Sequence, residues 1–209
     1  MRIEPQTKRA FAFFDGQNLY HSVKEAFGYF YPNYDPMALT EKFCRGEGWM
    51  LEKVHFYTGI PDENDNYFWH HFWKAKLASM GKCGIQTFSR PLRYRFQSVK
   101  LPDDKRVTIL VGQEKGIDIR IALDIVRMAR LNLYDVAFVF SQDQDLSEVA
   151  DEVRNISRDQ DRWIKVVSAF PVSPTFKNQR GINGTDWVKF GKSLYDECLD
   201  AGDYRPKQK

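Results

Sequence analysis

The chain is poor in what several protein classes require. Its three cysteines, Cys44, Cys83 and Cys198, are odd in number, far apart and form no C-x-x-C pair. That disfavours a disulfide framework and a zinc knuckle, and it fits a reducing compartment. No apolar run approaches the length of a membrane span or of an export-signal core: the stretch opening at Ala10 stops at Asp15. A cytoplasmic protein with no membrane partner is therefore expected. There is no internal repeat and no low-complexity linker. No G-x-G-x-x-G follows the first predicted strand, which argues against a Rossmann dehydrogenase. Charge of one sign is scarce too. The net charge is only +3, so a basic surface, if there is one, must be local.

What is present suits one sizeable core. Of 209 residues, 43% are hydrophobic and 15% aromatic, and the 28% that are charged are too few for bulk disorder. Ala10–Phe14 reads as a buried strand and Leu19–Phe27 as the helix after it. Asp35 before Pro36 predicts a capped helix start, running to about Arg45. Trp49–Tyr57 and Gly84–Ser89 read as strands around an aromatic helix, Asn66–Met80. Arg90–Leu110 reads as a hairpin that turns at Pro102-Asp103-Asp104. Ile117–Leu131 is a strong helix, Val136–Phe140 the most apolar strand, Asp145–Arg158 a helix and Trp163–Ala169 a strand. Trp187–Phe190 is a short apolar run, and the polar end beyond Gly202 is expected to fray. Strands alternating with helices predict an α/β, mostly parallel sheet flanked by helices. The expected domain spans about 8–192, with a hairpin insertion at about 90–111 and a helical or polar tail at 193–209. In such sheets ligands sit beyond the carboxyl ends of the strands, where strand order reverses.

Two predicted strands run into acids at that edge. Ala10–Phe14 leads into Asp15-Gly16-Gln17-Asn18, and Val136–Phe140 into Ser141-Gln142-Asp143-Gln144-Asp145. Each aspartate alone reads as a helix cap; two such ends in one small domain point to a site. A third acidic segment is Lys115-Gly116-Ile117-Asp118, followed by Asp124. On a helix the stripe Ile117, Ile121, Ile125 and Met128 faces the core, and Asp118 and Asp124 flank it. An ion pair with Arg120 or Arg127 accounts for Asp124 as well as a functional role does. The helix dipole alone would favour Asp118 in a first turn. Clustered carboxylates repel unless a cation or protons sit among them, and oxygen-only ligands suit Mg²⁺ or Mn²⁺. The four histidines have no ligand-spaced partners and read as structural or surface residues.

These three segments, in this order, resemble the signatures of NYN domains of the LabA type, within the PIN-like nucleases. The resemblance spans about Ala10 to Phe190. It implies a PIN-like three-layer fold and metal-dependent cleavage of RNA to a 3′-hydroxyl and a 5′-phosphate. It implies that Asp15, Asp118, Asp143 and Asp145 form the acidic metal site; the chemistry of phosphodiester cleavage then suggests that Asp15, Asp118 and Asp143 hold the ion, directly or through its water, and that Asp145 orients or deprotonates the attacking water. Asn18 would brace Asp15 or touch substrate, and Ser141 and Asp124 would support the site. One departure stands out: the usual Ser-Gly-Asp-Ser-Asp is here Ser141-Gln142-Asp143-Gln144-Asp145. Gln142 either crowds the site or marks a different turn. The insertion before Lys115 lacks the paired cysteines of some relatives, so no zinc is implied.

For RNA the hairpin offers Arg90, Arg93, Arg95, Lys100, Lys105 and Arg106 around Tyr94 and Phe96, cations for phosphates and rings for bases. The other reading is a solvated hairpin with its rings on the core. Lys115, beside Asp118, is expected at a phosphate unless it pairs with Glu114. The aromatic helix Tyr67, Phe68, Trp69, Phe72 and Trp73 reads as core or as the face of a homodimer. Two alternatives remain open: the same fold holding RNA without cutting it, and a phosphotransfer or phosphatase enzyme. Gln17, where the latter want a second aspartate, argues against them.

Overall fold

Alternation along the first strand sets the layering. β1 (Lys8–Asp15) sends Ala10, Ala12 and Phe14 to one face of the sheet and Phe11 and Phe13 to the other, and all five are buried. A strand buried on both faces belongs in the middle of a parallel sheet. In the computed structural model, which describes residues 2–100, 104 and 106–206, it pairs on one side with β2 (Trp49–Ile60) and on the other with β6 (Val136–Phe140). Outside these lie β3 (Gln86–Pro91) beyond β2, and then β7 (Lys165–Pro171) and β8 (Asp186–Phe190) beyond β6. All five pairings are parallel. The apolar run at Trp187 is thus a full sheet strand.

Helices cover both faces, giving three layers. α1 (Gly16–Phe27), α2 (Pro36–Glu47) and α3 (Tyr67–Lys82) bury Leu19, Val23, Leu39, Phe43, Phe72 and Trp73 on one side. α4 (Ile117–Arg130) and α5 (Ser147–Asp159) bury Ile117, Ile121, Ile125, Val149 and Val153 on the other. Asp35 starts α2 as its sequence suggests, its carboxylate accepting from the Met37 and Ala38 amides. Of the α3 aromatics, Phe72 and Trp73 go to the core and Phe68 and Trp69 pack against it half-buried, which leaves Tyr67, 49% exposed, outside. The core stacks tightly where the two central strands meet: the rings of Phe14 and Phe140 lie 4.0 Å apart.

The hairpin forms its own ribbon, β4 (Arg93–Lys100) with β5 (Arg106–Gln113), outside the six-stranded sheet. Of its expected turn only Asp104 is described; Pro102, Asp103 and Lys105 lie outside the described residues. The two readings of its rings divide. Phe96 stands 77% exposed, whereas Tyr94 is half-buried and its hydroxyl accepts from the Asp62 amide. The tail is more anchored than its polarity suggests. α6 (Lys192–Asp196) buries Tyr195. The fully buried Lys76 ammonium donates to the Tyr34 carbonyl and to Asp200. The Tyr204 ring meets Phe72 edge-on, so the chain does not fray at Gly202.

Strand order places the functional edge. From β1 the chain moves outward to β2, and from β6 it moves outward the other way to β7. The order reverses between β1 and β6, and the crevice beyond their carboxyl ends is the expected ligand position.

Candidate active site

The last residue of β1 does two jobs. Asp15 caps α1 by accepting from the Asn18 amide (3.1 Å), and its other oxygen accepts from the Ser141 hydroxyl (3.3 Å). It is only 5% exposed. The next residue must be glycine: a Cβ on Gly16 would lie 2.7 Å from the Phe56 ring and 2.8 Å from the Tyr57 carbonyl oxygen. Backbone cannot yield at that distance, so α1 could not start directly beneath β2 with any larger residue.

The end of β6 mirrors this. The Ser141 hydroxyl accepts from the Asp143 amide, and Asp143 caps a single 3₁₀ turn, Gln144–Leu146, by accepting from the Asp145 amide. The Asn18 side-chain oxygen accepts from the Gln142 amide at 3.0 Å, locking the two loops together. Asn18 therefore braces Asp15 through its backbone and the β6 loop through its side chain. The capping reading holds for Asp15 and Asp143, and both aspartates also line the cavity at this edge.

Asp15, Asp118, Asp143 and Glu114 line one cavity of about 540 Å³, together with Arg90, Arg93 and Lys115. Burial pushes the Asp15 carboxyl up to about 6; the Asn18 amide pulls it down, and the nearby charges of Asp143 and Asp118 push it further up. Glu114 is pushed up to about 7, first by burial and then by Asp15, with Asp118 adding to it. The Gly59 amide donates to its carboxylate. Other acids, Asp124, Asp135 and Asp200 among them, enter ion pairs, and no ion pair found among the described residues engages these four cavity acids. The donors are all hard carboxylate oxygens, which suits Mg²⁺ or Mn²⁺ rather than zinc. Among the described residues, no three His, Cys, Asp or Glu side chains are closed around a single ion position. The acids share a cavity without being drawn together as ligands.

Several expectations need correction. Asp145 is exposed and does not line the cavity; its amide, not its carboxylate, serves the site. Asp124 is taken up elsewhere: it accepts from Arg120 at 2.8 Å and from the buried Tyr57 hydroxyl at 3.0 Å. The ion-pair reading holds for it. Asp124→Asn is expected to cost roughly 2 kcal/mol, visible as an earlier urea midpoint; an unchanged midpoint would overturn the structural reading of Asp124. Lys115 does not pair with Glu114, which turns inward to Gly59. Arg93 and Lys115 reach the cavity, and Arg95 does not line it. Gln142 does not crowd the site either, since its side chain points towards residues 178–180. Glu114 itself was missed. It sits one residue before Lys115, and no periodicity separates it from an ordinary surface acid. A larger cavity of about 920 Å³, with Arg2, Asp151, Arg154 and Trp163 in its wall, lies at the opposite edge of the sheet and gathers no acid cluster.

The model of one protein family, the NYN domain, matches residues 9–179. No curated protein matches the chain. Among solved structures it is similar to a protein of unknown function from Vibrio parahaemolyticus, at 17% identity and a TM-score of 0.55, over 94% of this chain and 99% of that one. At that identity the likeness concerns the fold. MurG from Acinetobacter baumannii overlaps 87% of this chain and 45% of its own at 10% identity and a TM-score of 0.33, which carries no argument.

Proposed function

The chain belongs to the NYN domain family, and on that premise we propose that it is a metal-dependent ribonuclease acting on single-stranded RNA. The family itself suggests a nuclease-type, RNA-related function. What supports the finer reading is one observation: four acids without a basic partner among the described residues share a cavity rimmed by Arg90, Arg93 and Lys115.

The rim answers a simple conflict. A phosphodiester is repelled by carboxylates and must be held by cations beside them. Arg90, Arg93 and Lys115 supply that charge, arginine with a fork that matches phosphate oxygens. Arg95 lies two residues along β4 on the same ribbon face as Arg93, and so continues the basic line by about 7 Å. Asp15, Asp118 and Asp143 would hold Mg²⁺ or Mn²⁺. When bound, such an ion stabilises charge on the phosphate oxygens and eases ionisation of the attacking water. Glu114 takes the place expected of Asp145: its carboxylate, fixed by the Gly59 amide, is placed to orient that water. Ser141 and Asn18 keep Asp15 and Asp143 facing the cavity.

The test is cleavage of end-labelled single-stranded RNA by the purified chain in Mn²⁺, in Mg²⁺ and in EDTA, with Asp143→Ala as control. The expected outcome is metal-dependent cutting that the variant loses. The same activity in Asp143→Ala would remove the proposal. One observation favours a second reading, RNA binding without cleavage: the acids are not closed around one ion. Tight RNA binding with no cleavage in either ion would select it.

A further inference from the structure

Among the described residues, every cation that lines the cavity comes from one side. Arg90, Arg93 and Lys115 all belong to the stretch between β3 and the start of α4. The opposite side, where Asp143 stands, contributes acid alone. A strand crossing the site needs cations on both flanks, since an extended RNA carries one phosphate per nucleotide. On that side Gln142 and Gln144, which flank Asp143 in sequence and depart from the family pattern, are tied to the loop from β7 to β8.

The tie uses long amides on either side of Asp143. The Gln142 side-chain nitrogen donates to the Asn178 carbonyl (3.0 Å) and the Arg180 carbonyl (2.8 Å), which uses both of its hydrogens. The Gln144 nitrogen donates to the Gln142 carbonyl and to the Gly181 carbonyl, both at 3.0 Å, and its oxygen accepts from the Asn183 amide. Glycine and serine, usual at these positions, have no group that reaches across. Phe176 and Ile182, 4% and 1% exposed, pin the two ends of the segment into the fold. Between them Lys177 and Arg180 are exposed, and neither enters an ion pair found among the described residues. Among the described residues the Arg180 guanidinium donates to the neutral Asn183 side chain, at 3.2 Å.

We propose that residues 176–182, clamped by Gln142 and Gln144, form the second wall of the RNA site, and that Lys177 and Arg180 hold the phosphates on the Asp143 side. The glutamines are positioning residues, and Arg180 and Lys177 are the binding ones. This rests on the RNA reading above and extends it from a one-sided rim to a two-walled track for a single strand.

The experiment measures binding in EDTA, so that it is independent of cleavage, by anisotropy of a fluorescein-labelled oligouridylate across a salt series. Each phosphate contact to a single strand contributes about 0.7 to the slope of log K against log salt. Arg180→Ala and Lys177→Ala should each flatten the slope by about 0.7, and Arg180→Lys should restore it. Both residues are exposed, so these variants keep the fold. Trypsin should cut after Lys177 and Arg180 about tenfold faster in Gln142→Gly/Gln144→Ser than in the parent chain, and that variant should show the same flattened slope. Slopes indifferent to Arg180 and Lys177, in a parent chain that binds the oligonucleotide, overturn the second wall and leave the ribonuclease proposal standing. A parent chain that binds no RNA at any salt takes down the ribonuclease proposal, and the second wall with it.

Discussion

Asp15→Asn is expected to abolish metal-dependent cleavage, by about 10³-fold or more, while making the metal-free protein more stable at pH 8. The two effects have one cause. Holding Asp15 ionised at 5% exposure, beside Asp143 and Asp118, is costly, and its carboxyl rises from 3.8 to about 6. That shift corresponds to about 3 kcal/mol against the folded state above neutral pH. Asparagine keeps the shape and the cap, because its oxygen can accept from the Asn18 amide and its nitrogen can donate to the Ser141 hydroxyl. It removes only the charge. At this chain length each kcal/mol moves the melting temperature by about 2–4 °C, so a gain of about 6–12 °C in EDTA is expected. The loss of rate follows from losing a ligand whose ion contributes several kcal/mol to the transition state. Paired measurements of melting and cleavage decide the matter. A variant that melts lower at pH 8 would show that the charge is used as a cap and not kept for an ion.

Much of this was readable along the chain because it depends on local chemistry. Asp15 and Asp143 announce themselves by ending apolar strands, and parallel topology alone sends both to one edge. Alternation in Lys8–Asp15 and the isoleucine stripe of α4 settle which faces are buried. The parts that were not legible depend on how far a side chain reaches. Asp124 and Asp118 flank the same stripe, and helical periodicity treats them alike. Only the packing of β2 against α4 brings the Tyr57 hydroxyl to Asp124 and leaves Asp118 to the cavity. Asp145 shares its segment with Asp143, but the 3₁₀ turn swings its carboxylate outward. Glu114 lines the cavity because Gly59 leaves room for it. A Cβ on Gly59 would lie 2.6 Å from the Glu114 carboxylate oxygen, a steric relation across 55 residues of sequence that no motif encodes. The glutamines at 142 and 144 look like losses in the sequence. In three dimensions they are the residues that reach the β7–β8 loop.

The cavity acids also set how stability should respond to pH and to metal. Above pH 4 the unfolded chain gives up the protons of Asp15 and Glu114 near their ordinary values of 3.8 and 4.5, while the folded chain keeps them to about 6 and about 7. Through that window the folded state binds more protons, so stability falls as pH rises, and the loss is complete by about pH 8. In EDTA the melting temperature should therefore decline from pH 5 to pH 7.5 and then level off. Asp15→Asn/Glu114→Gln should flatten the decline. A divalent ion held by these acids would reverse the trend, because it would bind only the folded, deprotonated carboxylates and compete with the protons. Mn²⁺ at a hundred times its dissociation constant adds about 2.7 kcal/mol, or about 5–10 °C at this chain length. That gain should be largest at pH 8 and small at pH 5, where protons already neutralise the cavity. Melting curves in EDTA and in Mn²⁺ across this range test the cation site without any RNA. If stability in EDTA rises through pH 7, or Mn²⁺ shifts melting equally at pH 5 and pH 8, the four acids are not the site at which the ion binds.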